Sequence, residues 1–281
     1  MTEKLFRLLG KFKGKQSLAR FVFKNKIEKL RDVEVNGKYD CTYILPNIKE
    51  SIGFEIFIDG IYETENLQLI LKNLPQHSIM LDIGANIGSI CIPICKLRPD
   101  IKAVCIEASS RMYSYLENNC KLNNLNNISL INKAVSEIDN AKVNFYSPDD
   151  KYGKGSMNNV FTDKAEIVNT ITLDKLVADL DYRNIGIIKI DVEGFECSVF
   201  NGGKGLLSKD DAPDILFEFL DWAEESTGIY KAGNAQEILF SMGYDLYITN
   251  NGKYLKINKP ITTGYKMIFA TKKKIINATR V

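Results

Sequence analysis

The chain reads as an α/β protein: a doubly wound, mainly parallel sheet with an antiparallel C-terminal finish, preceded by an extension of short helices and strands. Three features predict this. Between residues 78 and 220, short apolar runs alternate with helix-length segments. The runs are apolar at consecutive positions, as strands covered by helices on both faces must be. A glycine-rich turn, Gly84-Ala-Asn-Ile-Gly88, leaves the first run and opens a helix, which places a ligand crevice at the C-terminal ends of the strands.

Residues 1–75 form the extension. Leu5, Leu8, Leu9 and Phe12, then Leu18, Phe21 and Val22, recur at helical spacing with Gly10 and Gly14 between them, so two short amphipathic helices are expected. Residues 1–31 hold ten lysines and arginines against two glutamates, while the rest of the chain is net acidic. This basic arm has two readings. A cap packing its apolar stripe on the body is favoured, because most amphipathic helices face a core. A helix lying on an anionic membrane surface is the other. Val33–Tyr39, with its Asn36-Gly37 turn, and Ser51–Ile61 are rich in β-formers, and Leu67–Leu74 reads as a helix ended by Pro75.

Residues 76–271 form the main domain. Strands are expected at Ile79–Ile83, Ala103–Ile106, Ile128–Ile131, Ile187–Ile190 and Ile215–Phe219. Helices fall between them at about 87–98, 109–123, 173–180 and 195–206. The polar stretch 138–170, containing Tyr146-Ser-Pro-Asp-Asp-Lys-Tyr-Gly-Lys-Gly-Ser156, reads as a long loop and a lid over the site. Tyr244–Thr249 and Tyr254–Ile257, joined at Asn251-Gly252, form a hairpin, and Tyr265–Ala270 follows. Residues 272–281 read as a frayed basic tail.

Composition removes several function classes. Apolar residues at 45% and charged residues at 26% exclude a disordered chain. No apolar run approaches the roughly 20 residues of a membrane span. The basic N-terminus lacks the apolar core of a secretory signal. Six cysteines without a C-x-x-C pair argue for a reducing, cytoplasmic setting, at the inner face of the membrane if the arm binds lipid. The single histidine, His77, excludes a multi-histidine zinc site. It precedes the first strand, at the end away from the crevice, and so does not suit a hydrolase base. The net-acidic body is no nucleic-acid binder.

Four segments carry chemistry. In Met80-Leu-Asp82-Ile-Gly84-Ala85-Asn86-Ile-Gly88 the glycines are spaced G-x-x-x-G; a dinucleotide fingerprint would need glycine at 86, and a Walker loop would end Gly-Lys-Ser/Thr. Asp82 would repel phosphate and attract an ammonium or a ribose hydroxyl. A nucleoside-like ligand with a cationic end follows, and S-adenosylmethionine fits. Glu107, ending the second strand before Ala108, suits two ribose hydroxyls. Asn132 and the small Ala134 suit an adenine edge. Finally, Lys189-Ile-Asp191-Val-Glu193-Gly194 brings Asp191 across the switch point to face the donor. The donor contacts expected on this reading are Asp82, Gly84, Ala85, Asn86, Gly88, Glu107, Ala108, Asn132, Ala134 and Asp191.

Together these segments resemble the FkbM family of S-adenosylmethionine-dependent methyltransferases. The matching strings are Leu81–Gly88, Asn132-x-Ala-Val-Ser136, Thr172-Leu-Asp174, Lys189–Gly194 and Ile215-Leu-Phe-Glu-Phe219. The resemblance implies a Rossmann-like methyltransferase sheet and O-methylation, often of sugar hydroxyls on glycans or natural products. Where the family often has Glu-Pro after the second strand, this chain has Glu107-Ala108. For the chemistry itself, Asp191 and Glu193 are the candidate proton acceptors and Lys189 an orienting partner. Asp191 and Glu218 could instead hold Mg²⁺. The metal-free route is favoured because two carboxylates make a sparse hard-metal site. An NAD-dependent oxidoreductase or epimerase would share the sheet and Glu107 but lacks the middle glycine. A non-catalytic scaffold would not need Asp82, Glu107 and Asp191 together. The expected partner is a hydroxyl-bearing small molecule or glycan.

Overall fold

The computed structural model describes residues 3–10, 12, 14–179, 184–250, 252–275 and 279–280. In chain order, three helices, α1 (Glu3–Leu8), α2 (Lys15–Val22) and α3 (Lys24–Lys29), lead into the hairpin β1 (Arg31–Asn36) and β2 (Thr42–Asn47). Helices α4 (Ser51–Asp59) and α5 (Thr64–Asn73) follow. The main unit then runs β3 (Ile79–Ile83), α6 (Cys91–Leu97), β4 (Lys102–Ile106), α7 (Ser110–Leu122) and β5 (Ile128–Ile131). Next come β6 (Ala134–Val135), β7 (Lys142–Tyr146), β8 (Ala165–Ile171) and α8 (Leu173–Asp179). They are followed by β9 (Ile185–Ile190), α9 (Glu196–Asn201), α10 (Lys204–Leu207), β10 (Asp214–Leu220), α11 (Asp221–Ser226) and α12 (Asn234–Ser241). The chain closes with β11 (Asp245–Asn250), β12 (Lys253–Ile257), β13 (Tyr265–Thr271) and β14 (Thr279–Arg280).

The expected doubly wound sheet is present. Its strand order is β14-β12-β11-β13-β10-β9-β3-β4-β5, with β10, β9, β3, β4 and β5 all parallel. β13 joins β10 antiparallel, and β11 and β12 extend that edge. The order reverses between β3 and β9, so the crevice opens there. Consecutive apolar residues in each strand serve two cores. Met80, Cys105 and Leu216 face one core, shared with the N-terminal helices and α4–α7. Leu81, Val104 and Phe217 face the other, shared with α8–α10 and α12.

Four expectations are corrected. Ser51–Asp59 is a helix rather than a strand; Ile52, Phe54, Ile56, Phe57 and Ile58 are all buried, so its β-branched and aromatic residues fill a helix enclosed on nearly every side. The stretch 138–170 is not one loop. β7 and β8 pair antiparallel there, and β6 joins β8. In the tail, β14 pairs parallel with β12, while residues 276–278 and 281 lie outside the described residues. The helix expected from about residue 87 begins at Cys91, because Gly84, Asn86 and Gly88 all take positive φ. The turn residue Asn251 and residue 180 also lie outside the described residues.

The basic arm packs as a cap. Phe6, Phe23 and Phe57 form a chain of edge-on rings with centroids 5.5 Å apart. Arg7 donates to the carbonyls of Asn36, Ile56 and Phe57. Lys15 pairs with Asp59 at 2.7 Å, and Arg20 lies over the Phe54 ring. Part of the arm's positive charge therefore fastens it to the body.

Candidate active site

The crevice at the β3–β9 switch point is a cleft lined by the C-terminal ends of β3, β4, β9 and β10 and by the turns that follow them. Strand register builds its floor. Asp82 of β3 pairs with Lys189 of β9, which brings a carboxylate and an ammonium into one buried layer. Lys189 lies 3.3 Å from Asp191, 3.6 Å from Asp82 and 3.2 Å from the Gly84 carbonyl. At 3.6 Å the Asp82 contact is an ion pair without a hydrogen bond, so both Asp82 oxygens are buried with no hydrogen-bond partner. Burial raises Asp82 against the pull of Lys189. Burial also opposes the charge on Lys189, yet Asp191 and Asp82 hold it well above the ordinary lysine range.

Gly84 makes the close approach possible. With φ at +78°, it sits where a Cβ would lie 1.9 Å from the Asp191 carbonyl oxygen. Asn86, where a dinucleotide fingerprint would have glycine, takes φ +51°, a conformation asparagine tolerates. Its backbone N–H donates to Glu107 Oε2, and its side chain donates to the Tyr152 carbonyl. The Ser109 N–H holds the other Glu107 oxygen at 2.8 Å. Burial nevertheless pushes Glu107 up to about 7, only partly offset by these amides. Each oxygen keeps a second lone pair for a ligand hydroxyl.

The cleft brings together Asp82, Gly84, Ala85, Asn86, Glu107, Ala108, Ala134, Asp191 and Glu193, with Lys189 and Glu218. It does not bring in Asn132, which is exposed and donates to the carbonyls of Glu107 and Ala108, bracing that turn. Gly88 packs against α6, where a Cβ would meet Ile92, and does not line the cleft. Val135, Phe145, Ile106 and Met112 supply an apolar wall.

The sequence reading missed several lining residues. Tyr62 and Glu63 enter from the turn before α5, and Glu63 takes φ +45°. Burial and then Asp191 raise the Glu63 carboxyl, so it feels the Asp191 end of the cleft. Lys154 comes from the 147–164 connection and pairs with Glu193 at 2.7 Å, while Ser156 donates to the Glu193 carbonyl. No apolar period marks these positions; the adjacent Tyr-Glu pair and the glycines at 153 and 155 were the signals available. Asn158 donates to Ser226, and Trp222, 38% exposed, packs edge-on against Phe161; neither residue lines the cleft. His77 is exposed at the far end of β3.

Residues 82–246, more than half of the chain, match the methyltransferase FkbM domain. The chain belongs to the FkbM methyltransferase family. A search of curated proteins gives no match. Among solved structures, a precorrin-6y C5,15-methyltransferase from Geobacter metallireducens is 15% identical over 76% of this chain and 90% of its own, with a TM-score of 0.44. An rRNA methylase from Streptococcus thermophilus is 11% identical over 75% and 95%, with a TM-score of 0.44. A SAM-dependent methyltransferase from Aquifex aeolicus is 14% identical over 73% and 88%, with a TM-score of 0.41. Each is a distant likeness of fold, and none bears on the acceptor of this FkbM protein.

Proposed function

We propose that this FkbM protein transfers the methyl group of S-adenosylmethionine to a hydroxyl, on a sugar of a glycan or natural product. One observation carries the reading: seven acids line the cleft against three lysines. Such a lining favours a donor bearing a sulfonium and an ammonium, and disfavours the pyrophosphate of NAD. Within it, Glu107 is placed for the ribose hydroxyls, and the unpartnered oxygens of Asp82 for a cationic or hydroxyl group. Methyl transfer is an in-line displacement, so alignment of acceptor oxygen, methyl carbon and sulfur is the main task. Asp191 and Glu193 are the proton acceptors beside the acceptor hydroxyl, and Lys189 orients Asp191.

The acceptor has a route in. A second, larger groove shares Ser51, Tyr62 and Glu63 with the donor cleft. Tyr62, Tyr265 and Phe12 offer aromatic surface, while Glu55, Asp59, Asn66 and Gln16 offer polar groups. Aromatic faces beside carboxylates and amides suit a polyhydroxylated chain, and the acid excess disfavours a phosphorylated one. Contact of the arm with an anionic leaflet belongs to the same reading, since Leu18, Phe21 and Val22 remain exposed beside the exposed Lys24 and Lys29.

The test is donor binding followed by transfer. S-adenosylhomocysteine is expected to raise the melting temperature while NAD does not, and labelled methyl is expected to appear in a glycan fraction. A shift with NAD alone would overturn the methyltransferase reading. Transfer to a nitrogen or carbon acceptor would overturn the O-methyl assignment.

A further inference from the structure

At the acceptor side of the cleft three carboxylates converge from three places. Asp191 follows β9, Glu193 stands two residues further on with φ +50°, and Glu218 rises from β10. One oxygen of each lies within 4.8 Å of the others. Lys154 meets only Glu193 Oε1, and Lys189 is shared between Asp191 and Asp82. The second Glu193 oxygen, Oε2, is buried without any hydrogen-bond partner, on a residue only 8% exposed. Glu218 is equally enclosed. A buried anionic oxygen needs a proton or a cation beside it.

The expectation of a metal-free site rested on two carboxylates being too few. The fold supplies a third. All the donors are hard oxygens, the set suited to Mg²⁺ or Mn²⁺ and poor for softer ions. The other cluster of metal-ligating residues, Asp82 with Cys91 and Cys105, is unlike it: burial pushes the Cys105 thiol up to about 12, so its thiolate is scarce at neutral pH.

We propose that Asp191, Glu193 and Glu218 bind one divalent cation of the Mg²⁺/Mn²⁺ class, on which the acceptor hydroxyl is acidified. The proposal rests on the methyl-transfer reading. With the cation polarising the acceptor oxygen, Asp191 and Glu193 act as ligands instead of proton acceptors, and the hydroxyl proton leaves to water. The oxygen's electron pair would then form the bond to the methyl carbon while the pair of the breaking carbon–sulfur bond stays on sulfur, leaving the neutral thioether. No oxidant or further reactant is needed. Lys154 becomes a competitor, since its ammonium occupies Glu193 when no ion is bound.

Mn²⁺ is the probe. Full-length protein stripped with EDTA, dialysed and saturated with S-adenosylhomocysteine is titrated with MnCl₂, and free Mn²⁺ is read by electron paramagnetic resonance. One ion per chain is expected, displaced by MgCl₂. Glu218→Gln should weaken it by about tenfold or more while the S-adenosylhomocysteine melting shift is retained. Lys154→Met should tighten it several-fold by removing the competing charge, and this variant keeps the proposal testable if Glu218→Gln does not fold. Absence of stoichiometric binding in protein that still shows the melting shift overturns the metal site and leaves methyl transfer standing. Binding indifferent to both substitutions places the ion elsewhere and overturns the site as well. Protein that shows no melting shift overturns the methyltransferase reading instead, whatever Mn²⁺ does.

Discussion

On the proposed donor pose, the buried Glu107 would tie donor affinity to pH. Burial pushes its carboxyl up to about 7, although the amides of Asn86 and Ser109 favour the charged form. Ribose hydroxyls donate to the ionised carboxylate, so protonation competes with the donor. Affinity for S-adenosylhomocysteine should therefore rise as pH passes upward through about 7 and then level off. Glu107→Ala should cost about 1.5–3 kcal/mol for each charge-assisted bond lost, and should flatten that pH dependence. Calorimetry on either side of neutrality checks both, and unchanged affinity would place Glu107 away from the ribose. Asp191→Asn is expected to keep the donor-induced melting shift while turnover falls by about 10²–10⁴; normal turnover would remove Asp191 from the chemistry. Asp82, Glu107 and Asp191 were legible in the sequence because an acid ending a buried apolar strand has little structural reason to be there. Glu63 and Lys154 were not, because each arrives from an irregular segment whose path only the tertiary fold sets.

The junction of β3 and β9 is the element on which the site depends. Its two turns touch backbone to backbone at Gly84 and Asp191, so any side chain at 84 must push them apart. Gly84→Ala adds a left-handed backbone penalty of about 1–3 kcal/mol to that collision. It should lower the melting temperature and, by displacing the Gly84–Asn86 turn on which the donor is proposed to sit, abolish the S-adenosylhomocysteine shift. An alanine variant with both properties intact would show that the turns can separate freely. The same strands show what a sequence displays well. Ile79–Ile83 and Ile128–Ile131 were read to the residue, since runs that feed two cores leave no ambiguity of face. Helix α4 is the harder case: its polar residues Ser51, Glu55 and Asp59 recur at i, i+4 and i+8, a narrow helical stripe that the β-branched and aromatic residues between them mask. β7 and β8 were hidden by their partial exposure, with polar residues interspersed among short apolar ones.

Across the whole molecule, the N-terminal arm joins two properties that the sequence set against each other. It packs as a cap, through Phe6, Ala19, Phe23 and Ile27 in the core and through Arg7 and Lys15 to the body. On another side of α2, Leu18, Phe21 and Val22 stand at i, i+3 and i+4 and remain exposed, Phe21 at 81%. Phe12 and residues 14–17 of the same arm border the large groove that leads to the donor cleft. A surface carrying this stripe beside Lys24 and Lys29 would hold the groove close to a leaflet, and with it a lipid-linked glycan. Each lysine near anionic lipid adds about 1 kcal/mol, fading within a Debye length, so the binding should weaken with salt. Deleting the arm cannot test this, because the core would lose Phe6 and Phe23 along with the stripe. Replacing Leu18 and Phe21 together by glutamate leaves the core residues Phe6, Ala19, Phe23 and Ile27 in place. The wild type is expected to sediment with phosphatidylglycerol-containing vesicles at low salt, and the double variant to stay in solution with an unchanged melting temperature. Wild-type protein that ignores such vesicles would discard the membrane surface and leave the arm a cap alone.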